Sequence, residues 1–135
     1  MVCRNAARCG QFAALTNDWD YMHNDPAWAT ERYGGTIVHG LYILTFIPVA
    51  QKELESGAPI VSTDTATVFN YGYNKVRMIR PLLVGERFRD RMSVVSVVEK
   101  KPRHYLVEYG HTFETESRIG EPFCVAEKLS YYFTQ

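Results

Sequence analysis

The hydrophobic pattern divides the chain into one long apolar run, residues 37–50, and a second half in which apolar and polar residues alternate. Almost every position in the run is apolar, so we predict a single helix that is buried on all sides. The helix is expected to start directly after Gly34-Gly35-Thr36, and Pro48 should kink or loosen it. This run would form the centre of the fold.

Two shorter helices are predicted before the run, over residues 5–16 and 26–32. Asp25 suits the N-cap of the second helix, and Pro26 suits its first helical position. The residues between the two helices include Asp18 and His23, and we interpret this polar stretch as a turn.

The second half predicts β-strands over residues 61–79, 87–99, 105–113 and 123–133, with short turns between the later strands. The first segment is long enough for one bent strand or two, with Gly72 at a bulge. Short connections favour an antiparallel meander. We therefore predict an α+β fold in a single domain, residues 1–135, with a curled antiparallel sheet wrapped around one long central helix.

Composition narrows the functional classes. The formal net charge is zero, so the basic surface of a nucleic-acid-binding protein is missing. The three cysteines, Cys3, Cys9 and Cys124, form no CxxC pair, which favours a reducing compartment. The apolar run is shorter than the roughly 20 residues of a membrane span. The first ten residues have no apolar signal-peptide core. We expect a cytoplasmic protein without nucleic-acid or membrane partners.

The candidate chemistry lies directly before the apolar run. Asp18 and His23 are five positions apart, a pairing that could serve acid–base catalysis. From spacing alone, the alternative that Asp18 caps a helix and His23 is a surface turn residue is equally good. Gly40 would lie in the first turn of the long helix, where backbone N–H groups are unpaired. The alternative for Gly40 is tight packing of a helix on the sheet.

Three ordered motifs resemble the MaoC-like hot-dog dehydratases, which are R-specific enoyl-CoA hydratases. They are FAALTNDWDYMHNDPAWA, GTIVHGLYILTFIP and NYGYNKVRMIRPLLVGERFR. The branch most similar to this chain is that of nodulation protein N, which also has an aromatic residue before the Ile/Met-His pair, here Tyr21. The resemblance covers Phe12 to the C-terminus. Members usually have a strand before the first helix, which MVCRNAARCG does not resemble.

The resemblance implies reversible addition of water to a trans-2-enoyl-CoA, giving the (R)-3-hydroxyacyl-CoA. Asp18 would be the base and His23 would orient the water and help to protonate Cα, while the N–H of Gly40 would receive the thioester oxygen. The residues implied to contact substrate are Tyr21, His39, Tyr42, Asn70 and Tyr71. For His39, the role of a structural histidine that donates to backbone near the site is favoured over that of a second base. Neither a metal nor a cofactor is implied beyond the coenzyme A of the substrate, and the expected assembly is a homodimer.

Two alternative functions, and two interpretations of a group of arginines, remain open at the level of sequence. A hot-dog acyl-CoA thioesterase would share the fold and the ligand, and a non-catalytic acyl-thioester binding protein would share the pocket. Arg77, Arg80 and Arg87 could meet coenzyme A phosphates, because guanidinium groups suit phosphate oxygens. A solvated strand face explains these arginines at least as well.

Overall fold

The chain forms helices first and strands afterwards in the computed structural model, which describes residues 6–55 and 66–134. The helices are α1 Ala6–Thr16, α2 Tyr21–Asn24, α3 Pro26–Tyr33, α4 Gly40–Leu44 and α5 Ile47–Glu55. The strands are β1 Ala66–Met78, β2 Phe88–Lys101, β3 His104–Thr115 and β4 Pro122–Thr134. This order of helices and strands confirms the predicted α+β class. None of the described helices is long and apolar enough to cross a membrane.

The four strands form one antiparallel sheet in the order β1-β4-β3-β2. The meander prediction is correct for β2, β3 and β4 but wrong for β1, which lies beside β4. The physical reason lies in the connection between β1 and β2, which is not a hairpin turn. Part of it pairs with an earlier segment: Val38 donates to the carbonyl of Leu82 at 2.8 Å, and Val84 donates to that of Thr36 at 2.8 Å. The predicted strand residues 61–65 lie outside the described residues.

The prediction of one long buried helix is wrong. Residues 36–38 are extended, because Ile37 forms an antiparallel bridge with Leu83, and helix begins only at Gly40. A turn at Thr45 then separates α4 from α5, and Pro48 occupies the second position of α5, where its missing N–H is tolerated. Nor is the segment buried all round, since Leu41 is 68% exposed.

The described residues form two compact units, each assembled from three stretches of chain. The first contains the residues up to Phe46 together with Met78–Arg89 and Glu114–Phe123. Its core includes a ladder of edge-to-face aromatic rings, in which Phe88 lies 5.2 Å from Phe46 and 5.7 Å from Phe123. This unit contains α1 to α4 and therefore Asp18, His23 and Gly40.

The second unit comprises Ile47–Arg77, Asp90–Phe113 and Cys124 onward, and its core is unusually polar. Lys128 donates to the Gln51 side chain at 2.6 Å, Gln51 donates to the Tyr132 hydroxyl at 3.3 Å, and that hydroxyl is hydrogen-bonded to the hydroxyl of Tyr109. These contacts allow Lys128 to be buried, because a buried polar group is tolerated when it is hydrogen-bonded.

The polar core explains why alternation in β4 is misleading. Of the apolar residues that alternate along β4, Phe123 and Leu129 are buried, whereas Val125, Tyr131 and Phe133 are only half-buried. The fully buried face carries Lys128, Ser130 and Tyr132, together with Cys124 and Ala126. Burial next to Asp90 raises the pKa of the Cys124 thiol to about 12. This thiol therefore stays protonated at neutral pH.

One ion pair in the first unit, between the half-exposed side chain of Arg89 and the buried carboxylate of Glu114, provides a stability test. Glu114 is 1% exposed, and Arg89 donates to its Oε2 through Nε at 3.1 Å and Nη2 at 2.8 Å. We expect Arg89→Ala to lower the free energy of unfolding by about 2–3 kcal/mol, because it removes charge-assisted hydrogen bonds from a buried carboxylate. Urea unfolding followed by circular dichroism measures the change.

The matched control is Arg87→Ala. Arg87 pairs with Glu116 at 3.5 Å, but both side chains are about two-thirds exposed. Its loss should cost less than about 1 kcal/mol. Equal effects of the two substitutions would contradict the importance of burial at Glu114.

Candidate active site

Two aspartates other than Asp18 cap the helices around the candidate site. The Asp20 carboxylate accepts from the Met22 N–H at 3.1 Å and caps α2, and the Asp25 carboxylate accepts from the Trp28 N–H at 3.0 Å and caps α3. The predicted cap at Asp25, with Pro26 at the first helical position, is confirmed. The alternative that Asp18 serves as a helix cap is wrong.

His23 lies in α2, so the prediction of a polar turn at this position is wrong. Two hydrogen bonds between α2 and the main chain of Ile37 fix the position of His23. The Ile37 N–H donates to the Met22 carbonyl at 2.9 Å, and Nδ1 of His23 donates to the Ile37 carbonyl at 2.8 Å. Because a carbonyl can only accept, Nδ1 carries a hydrogen, and neutral His23 therefore has its lone pair at Nε2.

His39 is buried between two aromatic rings. Its imidazole stacks on that of His23, with centroids 4.0 Å apart and planes 24° apart, and it lies 5.1 Å from the Phe12 ring. Nε2 of His39 donates to the backbone carbonyl of Asp18 at 3.1 Å. His39 thus connects the segment that carries Asp18 with the imidazole of His23.

Gly40 is the first residue of α4, and His39 is its N-cap residue. The carbonyl of His39 accepts from Tyr42 and Ile43, which leaves the N–H of Gly40 ahead of the first helical hydrogen bonds. Because α4 has only five residues, a large helix dipole cannot be invoked here. A Cβ at position 40 would lie 3.3 Å from Cγ and Cε of Met78, so glycine also allows close packing.

The structure brings Asp18, His23 and His39 together. One possible metal-ligand atom from each residue, an imidazole nitrogen or a carboxylate oxygen, lies within 4.8 Å of the other two. Asp18 is exposed, His23 is half-buried and His39 is buried. Such a set could hold a metal ion. A zinc ion bonds nitrogen at about 2.0–2.1 Å, so two imidazoles sharing it need nitrogens no more than about 4.2 Å apart. Nearly parallel stacked rings are poorly oriented for that, and the arrangement suits proton transfer better.

The other implied substrate contacts are distributed over both units. Tyr21 lies at the exposed start of α2 with its ring 6.0 Å from that of Trp28. Tyr42 is half-buried and lies 5.1 Å from Phe12. Asn70 and Tyr71 lie on β1 in the second unit, where the Tyr71 ring is 5.8 Å from that of Tyr131.

Two of the three candidate arginines have structural partners. Arg80 donates to the Thr115 hydroxyl at 2.9 Å, and Arg87 pairs with Glu116. Arg77 donates to the carbonyl of its neighbour Val76 at 2.8 Å. These contacts favour the interpretation of Arg80 and Arg87 as structural residues.

Sequence reasoning missed three contributors to the site. Asn24 donates to the Asp18 carbonyl at 3.3 Å, Phe12 packs on His39, and the Ile37 main chain holds His23. In the sequence, Asn24 is only the residue before the predicted cap at Asp25, and a main-chain contact leaves no residue signature. No signal in the sequence distinguishes these three from ordinary helix and strand residues.

The helices and the antiparallel sheet define a hot-dog protein. One solved structure of this fold is the (R)-hydratase from A. caviae involved in PHA biosynthesis, with a TM-score of 0.72 and 23% sequence identity. That match covers 94% of this chain and 86% of the other.

Sequence comparisons identify the family. The MaoC like domain model matches residues 4–115, and the chain belongs to the MaoC-like dehydratase family. It is 33% identical to the 3-hydroxyacyl-thioester dehydratase Z of Mycobacterium tuberculosis, over 90% of this chain and 77% of the relative. It is 32% identical to nodulation protein N of Rhizobium meliloti, over 78% of this chain and 65% of the relative. The recognition of the family from its three motifs is confirmed.

Proposed function

We propose that this protein is a hydro-lyase that reversibly adds water to trans-2-enoyl-CoA and forms (R)-3-hydroxyacyl-CoA. The observation that carries the proposal is the grouping of Asp18, His23 and His39 within 4.8 Å, directly before Gly40, in a MaoC-like dehydratase. The relative in Mycobacterium tuberculosis is named a 3-hydroxyacyl-thioester dehydratase, which supports a thioester substrate. Coenzyme A enters as part of the substrate, and the reaction would take place in the cytoplasm.

Hydration requires a base for the water and a donor for the oxygen that becomes negative. In the proposed reaction, the Asp18 carboxylate takes a proton as the water oxygen bonds to Cβ. The π electrons of the double bond move towards the thioester oxygen, which the Gly40 N–H stabilises. The proton passes from Asp18 to Nε2 of His23 and then to Cα, and both side chains return to their starting states.

The tautomer of His23 supports this order of proton transfers. Its Nδ1 hydrogen is held by the Ile37 carbonyl, so Nε2 of the neutral ring can only accept a hydrogen bond from the water. His23 therefore orients the water first and becomes a donor only after it has received a proton. Asp18, with an exposed carboxylate that caps neither α2 nor α3, is the available first base.

A crotonyl-CoA assay tests the reaction class. We expect the absorbance of the conjugated thioester to fall without release of free thiol, because water adds to the double bond and leaves the thioester intact. Chiral analysis should give the R alcohol. Release of thiol would instead identify a thioesterase, and an S product would contradict the proposed site. Binding without either reaction, over a series of enoyl-CoA chain lengths, would identify a non-catalytic binding protein.

Separate substitutions of Asp18 and His23 test their proposed catalytic roles. Asp18→Asn and His23→Gln should each lower turnover about 100-fold or more, the usual scale for a positioned acid or base. Asp20→Asn is the matched control, because Asp20 lies in the same segment but caps α2, and asparagine caps equally well. The control should keep turnover near that of the wild type. Near wild-type turnover in either variant of the pair would refute the assignment.

A homodimer is proposed from the open edge of the sheet. β2 is an edge strand, and it exposes four valines, Val94, Val95, Val97 and Val98, each at least 44% exposed. Unpaired edges with apolar side chains favour pairing with another strand. A second copy that adds its own β2 would continue the sheet across a two-fold axis.

Sedimentation velocity should therefore show a species of twice 15.5 kDa at micromolar concentration. Val97→Lys should dissociate it, because lysine on an edge strand opposes pairing. Val68→Lys, on the opposite edge strand β1, is the control and should leave the dimer intact. An active wild-type monomer at this concentration would rule out the dimer.

A further inference from the structure

We propose that His39 is the positioning residue of this site, holding Asp18 through a hydrogen bond to its backbone and His23 through ring stacking. The proposal rests on the function proposed above for Asp18 and His23. It differs from the implied role of His39 as a substrate contact and extends the expectation of a structural histidine by giving it an effect on the rate of the reaction. His39 would touch neither water nor thioester, and it would act only through the two residues that do.

The first step of the argument concerns Asp18, which lies in a segment without regular structure. α1 ends at Thr16, Asn17 has a left-handed backbone with φ of 59°, and α2 begins only at Tyr21. The Asp18 carbonyl is nevertheless fixed by two donors, Nε2 of His39 at 3.1 Å and the Asn24 side chain at 3.3 Å. The imidazole is the more rigid donor, because it is fully buried.

The second step concerns the orientation of the His23 ring. α2 is only one turn long, and the bond from Nδ1 to Ile37 fixes one atom of the imidazole but leaves the ring free to rotate about it. Stacking on His39 at 4.0 Å sets the plane, and Phe12 supports His39 at 5.1 Å. The direction of the Nε2 lone pair of His23 is therefore set by His39.

The third step separates this role from substrate contact. His39 is 1% exposed, and its second nitrogen, Nδ1, is buried without a hydrogen-bond partner in the described part of the chain. A substrate group would have to displace packed side chains to reach that nitrogen. Within residues 6–55 and 66–134, the polar contact of the ring is the bond from Nε2 to the Asp18 carbonyl, and His39 can influence catalysis through this bond.

Loss of positioning has a different kinetic signature from loss of binding. A shift of about 1 Å in a reacting group can cost on the order of 100-fold in rate. Weaker substrate contact would instead raise KM and leave kcat unchanged. Disturbing His39 should therefore lower kcat and change KM less than about threefold.

Two substitutions divide the contributions of His39. His39→Gln keeps an N–H donor near the position of Nε2 but removes the ring, whereas His39→Phe keeps a flat ring but removes the donor. We expect the phenylalanine variant to lose about 100-fold in kcat and the glutamine variant to retain activity within about tenfold of the wild type. The matched control is His111→Gln, which alters a buried histidine in the other unit that pairs with Asp90 at 2.8 Å. Its kcat should stay within about twofold of the wild type at a temperature where circular dichroism shows a folded protein.

Nitrogen-15 NMR of the histidine rings provides a readout that does not depend on turnover. The wild type should show the hydrogen of His39 on Nε2 and that of His23 on Nδ1, and the His23 signals should broaden in His39→Gln, where the stack is lost. A hydrogen on Nδ1 of His39, a wild-type kcat in the phenylalanine variant, or a raised KM at constant kcat would overturn the proposal. If the wild type hydrates no enoyl thioester, the proposed function fails, and the NMR result alone decides whether His39 positions the pair.

Discussion

The candidate site depends on the main chain of a single residue, Ile37. Its N–H donates to Met22 and its carbonyl accepts from His23, while its neighbours Thr36 and Val38 are hydrogen-bonded to residues 82–84. A short extended segment is thereby attached on one side to α2 and on the other to the connection that precedes β2. Ile37 contributes only backbone atoms to its hydrogen bonds, so substitution of its side chain cannot remove them. The main chain of Ile37 thus fixes the position of Nδ1 of His23, and stacking on His39 sets the plane of the ring.

Local rules predicted the elements whose causes are local. Asp25 and Pro26 specify the start of α3 whatever the rest of the chain does, and turn residues mark the ends of β2, β3 and β4. The course of residues 36–38 depends instead on pairing with residues more than 40 positions away. Their apolar side chains are compatible with helix or strand, so the periodicity could not decide between the two. The predicted helix was therefore extended across a segment that is held by Leu82 and Val84.

The buried face of β4 shows a different limit of the hydrophobic pattern. Lys128 and Ser130 are polar, and a sequence gives no sign that Gln51, far away on α5, supplies a hydrogen bond to Lys128. For the candidate site, the spacing of Asp18 and His23 predicts a pair of side chains. The sequence alone does not decide whether Asp18 caps a helix or acts in catalysis. The structure shows that Asp20 and Asp25 occupy the capping positions. The roles of Asp18, His23 and Gly40 come from the family resemblance, and geometry alone would not specify the reaction.

The junction of α2 and α3 limits how this chain can change in length during evolution. Asp25 ends α2, where its N–H bonds to the Tyr21 carbonyl, and also begins α3, so no spare residue lies between the two helices. Because each helical residue turns the chain by about 100°, one inserted residue in α2 would move His23 to another side of the helix. Substitutions can accumulate over much of this surface, whereas insertions and deletions between Asp20 and Pro26 should be excluded. The geometry of the candidate site therefore depends on the number of residues in this segment as well as on their identity.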